Sequence, residues 1–350
     1  MIAADRPVQR PPQAKLLVID ANGQIKHARR AAVVDFLRSG DLLIANDAAT
    51  LPASLQGQHI SSKAAIEVRL AGRHSLAANE VSHFSAIVFG AGDFCTRTED
   101  RPPPPPLAQG DRLALGPLSA TVERLIDHPR RVSLRLEGSP DEIWSGLTHH
   151  GRPIQYAHIR SPLALWDVWA PIAGPPVAFE PPSAGFALDW QTLMAIRERG
   201  VAFATLTHAA GISSTGDDEL DRQLPFDEPY SIPAMTAAAI RRTRASGGRI
   251  VAVGTTVVRA LEHAAMHDGQ VSSGEGLATQ RIDETTLLQV VDAILSGTHE
   301  PGTSHYQLLR AFVDDATLCR ASEEMELLGY RTHEFGDSIL IERQASLTTG

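Results

Sequence analysis

The stretch RIVAVGTTVVRALEHAA, Arg249 to Ala265, decides how the rest of the chain is read. After the leading arginine, Ile250 to Val253 are apolar and rich in β-branched side chains, which favours a buried strand. Gly254-Thr255-Thr256 then turns the chain, and Val258, Leu261 and Ala265 recur at helical spacing. A strand that passes through a glycine turn into a helix is half of an α/β unit. The first turn of that helix has N–H groups without intrahelical partners, and its dipole favours an anion or polar ligand. Thr255 and Thr256 add hydroxyls there, and Arg259 can pair a carboxylate through two parallel bonds. Plain architecture accounts for the same residues: threonine caps helices, and Arg259 with Glu262 makes an i,i+3 surface pair. No G-x-x-x-x-G-K-[ST] and no G-x-G-x-x-G after a strand is present, which removes the two commonest phosphate-cradling fingerprints.

Working outward, Lys15 to Asp20 (KLLVID) reads as a strand with a turn at Asn22-Gly23. A short helix through Val33 to Leu37 ends at Gly40, and Asp41 to Ala45 is a second strand running into Asn46-Asp47. From about residue 55 to 150 the texture changes to period-two alternation: Ile66, Val68 and Leu70, then Leu113 and Leu115, then Val132, Leu134 and Leu136. That pattern predicts a small all-β barrel. Within it, RPPPPPL (Arg101 to Leu107) is a stiff exposed polyproline loop. Beyond residue 185 strands and helices alternate again. Asp189 caps a helix to Gly200, Val201 to Thr205 is a strand, and Ser231 with Pro233 opens a helix that closes at Gly247-Gly248. Asp283 with Thr286 starts a helix to about Leu295, another covers Ser304 to Val313, and Ser338 to Ile341 is the last strand. The fold class expected is an α/β body with a mixed sheet plus an inserted small β-barrel domain. Residues 1–55 and 151–350 form the body and 56–150 the insert.

The chain has 350 residues, 43% hydrophobic and 21% charged, which suits a soluble protein of about two domains. No stretch reaches the ~20 apolar residues of a membrane span, and the N-terminus lacks the apolar run of a secretory signal, so a cytoplasmic location without membrane partners is expected. The formal charge of −9 argues against nonspecific coating of nucleic acid, leaving local basic faces around Arg29 and Arg30, Arg130 and Arg131, and Arg241 to Arg249. Cys95 and Cys319 form no C-x-x-C and read as small buried or half-buried side chains.

Two further stretches carry chemistry-bearing residues. In GTHEPGTSHY (Gly297 to Tyr306), His299 beside a proline turn, with hydroxyls at a helix start, suits a general acid or base or a capped surface loop. A zinc-protease helix is excluded, because position 303 is threonine rather than histidine. In HEFGDSILI (His333 to Ile341), Asp337 at a strand mouth orients a ligand hydroxyl or closes a turn. His149-His150 lacks a third metal ligand at suitable spacing and reads as a polar linker; no metal site is expected.

Together these stretches resemble one family, the S-adenosylmethionine:tRNA ribosyltransferase-isomerases of queuosine biosynthesis. Val253 to Glu262 matches its V-G-T-T-x-V-R-x-L-E signature, Gly40 to Asp47 its G-D-L-L-V-x-N-D, and Pro181 to Phe186 its A-P-T-A-G-L. His299 to Ser304 is similar to H-x-P-x-S-T, and FGDSILI to Y-G-D-A-M-L-I; Glu228 and Tyr230 fit a weaker acidic-aromatic stretch. The resemblance implies a barrel inserted into an α/β body. It also implies transfer and isomerisation of the ribosyl moiety of S-adenosylmethionine onto a 7-aminomethyl-7-deazaguanine base in tRNA. The product is epoxyqueuosine, with release of adenine and methionine. S-adenosylmethionine is then a co-substrate, with no permanently bound cofactor, and tRNA is the partner. The positions carried over are His299 for proton transfer, Asp337 and Asp47 for orientation, and Arg259 with Thr255 and Thr256 for carboxylate or ribose contacts. Asn46, Gly185, Gly254, Glu262, Thr303 and Gly336 complete the substrate-binding set. The chain departs from the family where Ala48 to Leu55 replaces T-R-V-x-P-A-R-L, losing two arginines, and where Ala187, Thr207 and Phe226 replace histidines. Such losses also fit a paralog with a small-molecule acceptor, or a noncatalytic binding protein.

Overall fold

The computed structural model describes residues 1–344. β1 (Lys15–Ile19) and β2 (Ile25–Arg29) form a hairpin, and β3 (Leu42–Asn46) leads into six barrel strands. These are β4 (Ser54–His59), β5 (Ala65–Gly72), β6 (His83–Phe89), β7 (Arg112–Leu115), β8 (Leu118–Leu125) and β9 (Arg131–Leu136). Then follow α1 (Pro140–His150), α2 (Trp190–Glu198), β10 (Ala202–His208), β11 (Glu228–Ile232), α3 (Ala234–Ala245) and β12 (Ile250–Val253). The chain continues through α4 (Thr255–Ala264), β13 (Gly274–Ala278), β14 (Ala293–Gly297), α5 (Ser304–Leu309), α6 (Asp315–Leu327) and β15 (Ser338–Glu342).

The body is a nine-stranded mixed sheet in the order β13-β11-β10-β3-β12-β14-β15-β1-β2. Its centre, β10-β3-β12-β14, is parallel. Side chains along these strands alternate strictly between two cores. Leu42, Ile44, Ile250, Ala252 and Ile294 face Ile240 of α3, Leu261 of α4 and Leu318 of α6. Leu43, Ala45, Val251, Val253 and Leu295 face Ile196 of α2 and Val33 of a 3-10 turn. Helices on both faces explain why LLIA (42–45) and IVAV (250–253) are apolar throughout.

The barrel closes in the order β8-β9-β6-β5-β4-β7. Ile66, Val68 and Leu70 fill its interior with Phe84, Leu113, Leu115, Val132 and Leu134. Closure requires glycine at 57, where an added Cβ would stand 2.2 Å from the Ala114 carbonyl oxygen. No helix among the described residues is long and apolar enough to cross a membrane.

Several sequence expectations are corrected. The 56–150 segment is not all β: Ser139 and Glu142 form a reciprocal capping box that starts α1, and Ile143 and Leu147 seal the barrel core. His149 and His150 belong to this helix rather than to a linker, and the His150 ring contacts the Gln56 carbonyl oxygen at 2.7 Å. The helix expected from Asp283 to about Leu295 does not form. Backbone N–H groups of Gln289, Val290 and Val291 donate to the Glu262 carboxylate instead of to a preceding helical turn, and Ala293–Gly297 becomes a sheet strand. Strands β2, β4, β6, β11 and β13 and helix α6 have no counterpart in the sequence pattern. Both cysteines are exposed rather than buried.

Candidate active site

The C-terminal ends of the parallel strands are where an open α/β sheet leaves room for a ligand. A cavity of about 480 Å³ sits there. Its floor is Gly254, Thr255 and Thr256, and its walls include Glu180, Ser213, Glu228, Arg259, Ser296, His299 and His305. Gly254 takes φ +95°, a conformation disfavoured for other residues, and places the start of α4 against Ala184. No side chain caps this helix. Asn46, at the end of β3, fixes the turn from behind by donating to Thr256 Oγ1 at 3.3 Å and to the His208 carbonyl at 2.9 Å.

Arg259 is not a surface residue; it is 4% exposed. Its guanidinium donates to the Glu228 carboxylate and to the carbonyls of Phe226 and Ala278. Glu228 also accepts from the Gly211 N–H. Burial pushes the Glu228 carboxyl up and Arg259 pulls it back. His208, fully buried 3.3 Å from Glu228, is driven well below its ordinary range by burial and by Arg259, so it is neutral. The expected Arg259–Glu262 pair does not exist: Glu262 faces the other way and holds the 289–291 backbone.

His299 shares a 2.9 Å hydrogen bond with Ser296 Oγ and stacks on His305 at 4.7 Å. Burial, with His305 and His333 nearby, holds His299 well below its usual range, and burial lowers His305 to about 4. Across the cavity Glu180, 8% exposed, accepts from the Tyr156 hydroxyl. Its carboxyl is pushed up to about 7, chiefly by burial, with Ser213 and Tyr156 opposing and Glu334 adding to the rise. At the mouth Arg281 donates to the Arg222 carbonyl at 2.7 Å, and Arg310 is engaged by Glu284 and Asp315.

Of the residues expected at the site, Gly254, Thr255, Thr256, Arg259 and His299 line this cavity. The others stand outside its lining. Asp337 accepts from the backbone N–H groups of Lys15 (2.6 Å) and Arg331 (2.8 Å), so it ties β1 to the C-terminal turn. Gly336 packs in that turn, where a Cβ would meet the Arg331 carbonyl at 2.3 Å. Asp47 accepts from Thr207 Oγ1 at 2.7 Å, Thr303 caps α5, and Gly185 lies in a 3-10 turn behind Ala184. The suggested basic faces disperse too. Arg30 is buried on the carbonyls of Gln9 and Gly336, and Arg249 pairs Asp41 and Glu342 at the end of β12 opposite Gly254. Glu180, His305, Tyr156 and the mouth arginines are not singled out by pattern. Glu180 immediately precedes PPSAGF, but its partner Tyr156 is 24 residues away, a separation that no local periodicity marks. His158, His333 and Glu334 form the one metal-like cluster among the described residues, and they do not line the cavity.

A family model described as queuosine biosynthesis protein matches residues 1–341. The chain is 33% identical to the S-adenosylmethionine:tRNA ribosyltransferase-isomerase of Chlorobium luteolum, over 97% of this chain and 96% of the relative. It is 32% identical to the enzyme of the same name from Citrifermentans bemidjiense, with the same coverage. A crystal structure of S-adenosylmethionine tRNA ribosyltransferase from Thermotoga maritima matches with a TM-score of 0.52 at 23% identity. It covers 97% of this chain and 96% of that one, a likeness of fold.

Proposed function

The chain belongs to the queuosine biosynthesis protein family, and from that premise we propose that it is an S-adenosylmethionine:tRNA ribosyltransferase-isomerase. It transfers and isomerises the ribosyl moiety of S-adenosylmethionine onto the aminomethyl group of a 7-deazaguanine base in tRNA. Adenine and methionine leave, and the product base carries the epoxycyclopentanediol of epoxyqueuosine. The observation that carries this is the convergence of the V-G-T-T-x-V-R signature and His299 on one cavity at the strand ends.

The uncapped first turn of α4 and the hydroxyls of Thr255 and Thr256 suit the methionine carboxylate or ribose hydroxyls. Arg259 acts one step back: its guanidinium is engaged by Glu228 and backbone carbonyls, so it builds the wall rather than gripping the substrate carboxylate. Asn46 positions the Thr256 hydroxyl. Neutral His299, bonded to Ser296, offers a hydrogen bond to a substrate polar atom. Arg222 and Arg281 at the mouth are placed for tRNA phosphates, where positive side chains supply affinity and register. S-adenosylmethionine is a co-substrate, no resident cofactor takes part, the protein works in the cytoplasm, and the domain division falls before Ser54 rather than at 55/56, so that β4 stays whole, and at 150/151.

The test is release of adenine and methionine from S-adenosylmethionine, followed chromatographically with and without tRNA bearing the aminomethyl-deazaguanine base. Release that depends on that tRNA is expected. Release with a free small-molecule base instead would reassign the acceptor, and S-adenosylmethionine binding without any turnover would reduce the protein to a binding role.

A further inference from the structure

Removing a proton from the carbon beside a sulfonium requires a base in the cavity wall. Burial, with neighbouring imidazoles at His299 and Arg259 at His305, has already made both histidines poor proton acceptors near neutral pH. We propose that Glu180 is the base that takes the proton from the ribosyl carbon bonded to the sulfonium, with Tyr156 positioning its carboxylate. This rests on the ribosyltransferase-isomerase activity proposed above. In the step, the C–H bond breaks, its electron pair stays on carbon as an ylide stabilised by the adjacent positive sulfur, and the proton forms an O–H bond on Glu180.

The geometry singles out this carboxylate from the others on the wall. Asp221 is saturated by the Thr215 N–H and by the hydroxyls of Ser214 and Thr215. Glu228 is held by Arg259 and Gly211. Asp283 accepts from the N–H and hydroxyl of Thr285, and Glu284 pairs with Arg310. Glu180 alone is buried on the cavity wall without a cation bonded to it.

The ionisable groups around it are accounted for. Tyr156 donates to it, and burial keeps that phenol protonated by raising it well above its ordinary range. Arg69 of β5 lies over the Tyr156 ring at 5.6 Å, but its guanidinium is bonded to Glu67 at 2.7 Å. Glu334, from the C-terminal loop, adds negative charge and is paired with His158 at 3.4 Å. The carboxyl is therefore poised near 7, where a general base combines the ionised form with useful basicity.

The experiment compares wild type, Glu180→Gln, Glu180→Asp and Tyr156→Phe in adenine release with cognate tRNA, together with S-adenosylmethionine affinity by calorimetry. Glu180→Gln should lose about 100-fold or more in kcat, the usual worth of a positioned base, while S-adenosylmethionine affinity holds within about threefold. Glu180→Asp should fall between. Wild-type kcat/KM should rise with pH through an acidic limb near 7. Tyr156→Phe should move that limb upward, because it removes a hydrogen bond to the ionised form. Glu180→Gln activity within tenfold of wild type, with the limb in place, would overturn the assignment. If Glu180→Gln fails to bind S-adenosylmethionine, the Tyr156→Phe profile decides, and an unmoved limb overturns it. Should wild type release no adenine, the activity itself fails first. Solvent deuterium exchange at that ribosyl carbon, present in wild type and lost in Glu180→Gln, would still support Glu180; no exchange in wild type would overturn it as well.

Discussion

Glu180 and Glu228 are buried carboxyls on the wall of one cavity, and their neighbours give them different work. Glu228 has a guanidinium against it, so removing that partner leaves a charge stranded in the interior. Arg259→Met should lower stability by about 3–5 kcal/mol, the usual result of breaking a buried pair, measured by urea denaturation with S-adenosylmethionine absent. Adding Glu228→Gln should restore part of the loss, since the two effects are coupled. Glu180 has no such partner, and its carboxyl sits at about 7 against an ordinary 4.5. Because the folded state holds that proton after the unfolded chain has released it, the contribution of Glu180 to stability is full below about 4.5 and is lost as pH rises through about 7. Glu180→Gln should abolish this fall. It should therefore be the more stable protein at pH 8, by on the order of 3 kcal/mol at most, and show no such gain at pH 4. A cost in stability at working pH fits a functional role in the cavity.

At the scale of elements, turns and edges are held by carboxylates that bind backbone N–H groups. Asp337 bonds the backbones of Lys15 and Arg331, and Glu262 bonds those of residues 289–291. Both residues fall inside motifs that suggested ligand contacts, and both are used up by structure. Asp337→Ala should cost about 2 kcal/mol in denaturation, for two N–H groups left without their acceptor. Adenine release per folded molecule should stay at the wild-type rate, because the residue lies outside the cavity. A large drop in kcat at full stability would instead restore Asp337 to the chemistry. No helix forms over residues 289–291 because their backbone donors are spent on Glu262, a distant acceptor that pattern alone does not reveal.

At the scale of the molecule, the site forms where β3, β10, β12 and β14 end, with Glu180 on its wall and Tyr156 bonded to that carboxylate. The chain carries a net charge of −9, and the arginines at the cavity mouth are Arg222, Arg281 and Arg310. Replacing Arg222 and Arg281 together with alanine should weaken tRNA binding and flatten its salt dependence. The slope of log K against log salt should fall by roughly 1.4, because two phosphates of single-strand type are no longer neutralised. S-adenosylmethionine affinity should be unchanged. Titrations of tRNA binding at several salt concentrations would check this, and an unchanged slope would remove these arginines from the tRNA path.

Sequence by itself determined the α/β body, the barrel with four of its strands and the turn at Gly254, because these follow from local causes: side-chain period, cap chemistry and backbone freedom. It also placed Thr255, Thr256 and His299, whose motifs are contiguous. Only the tertiary structure decided which polar residues face the cavity and which satisfy buried backbone or buried charge. Arg259 and Glu262 differ by three positions, yet one meets Glu228 across the wall and the other a loop behind the sheet. Glu180 became visible only when folding buried it beside Tyr156 and away from any bonded cation. Burial and the sign of the nearest charge depend on long-range contacts, and those two quantities set whether a carboxyl acts as a strut or as a base.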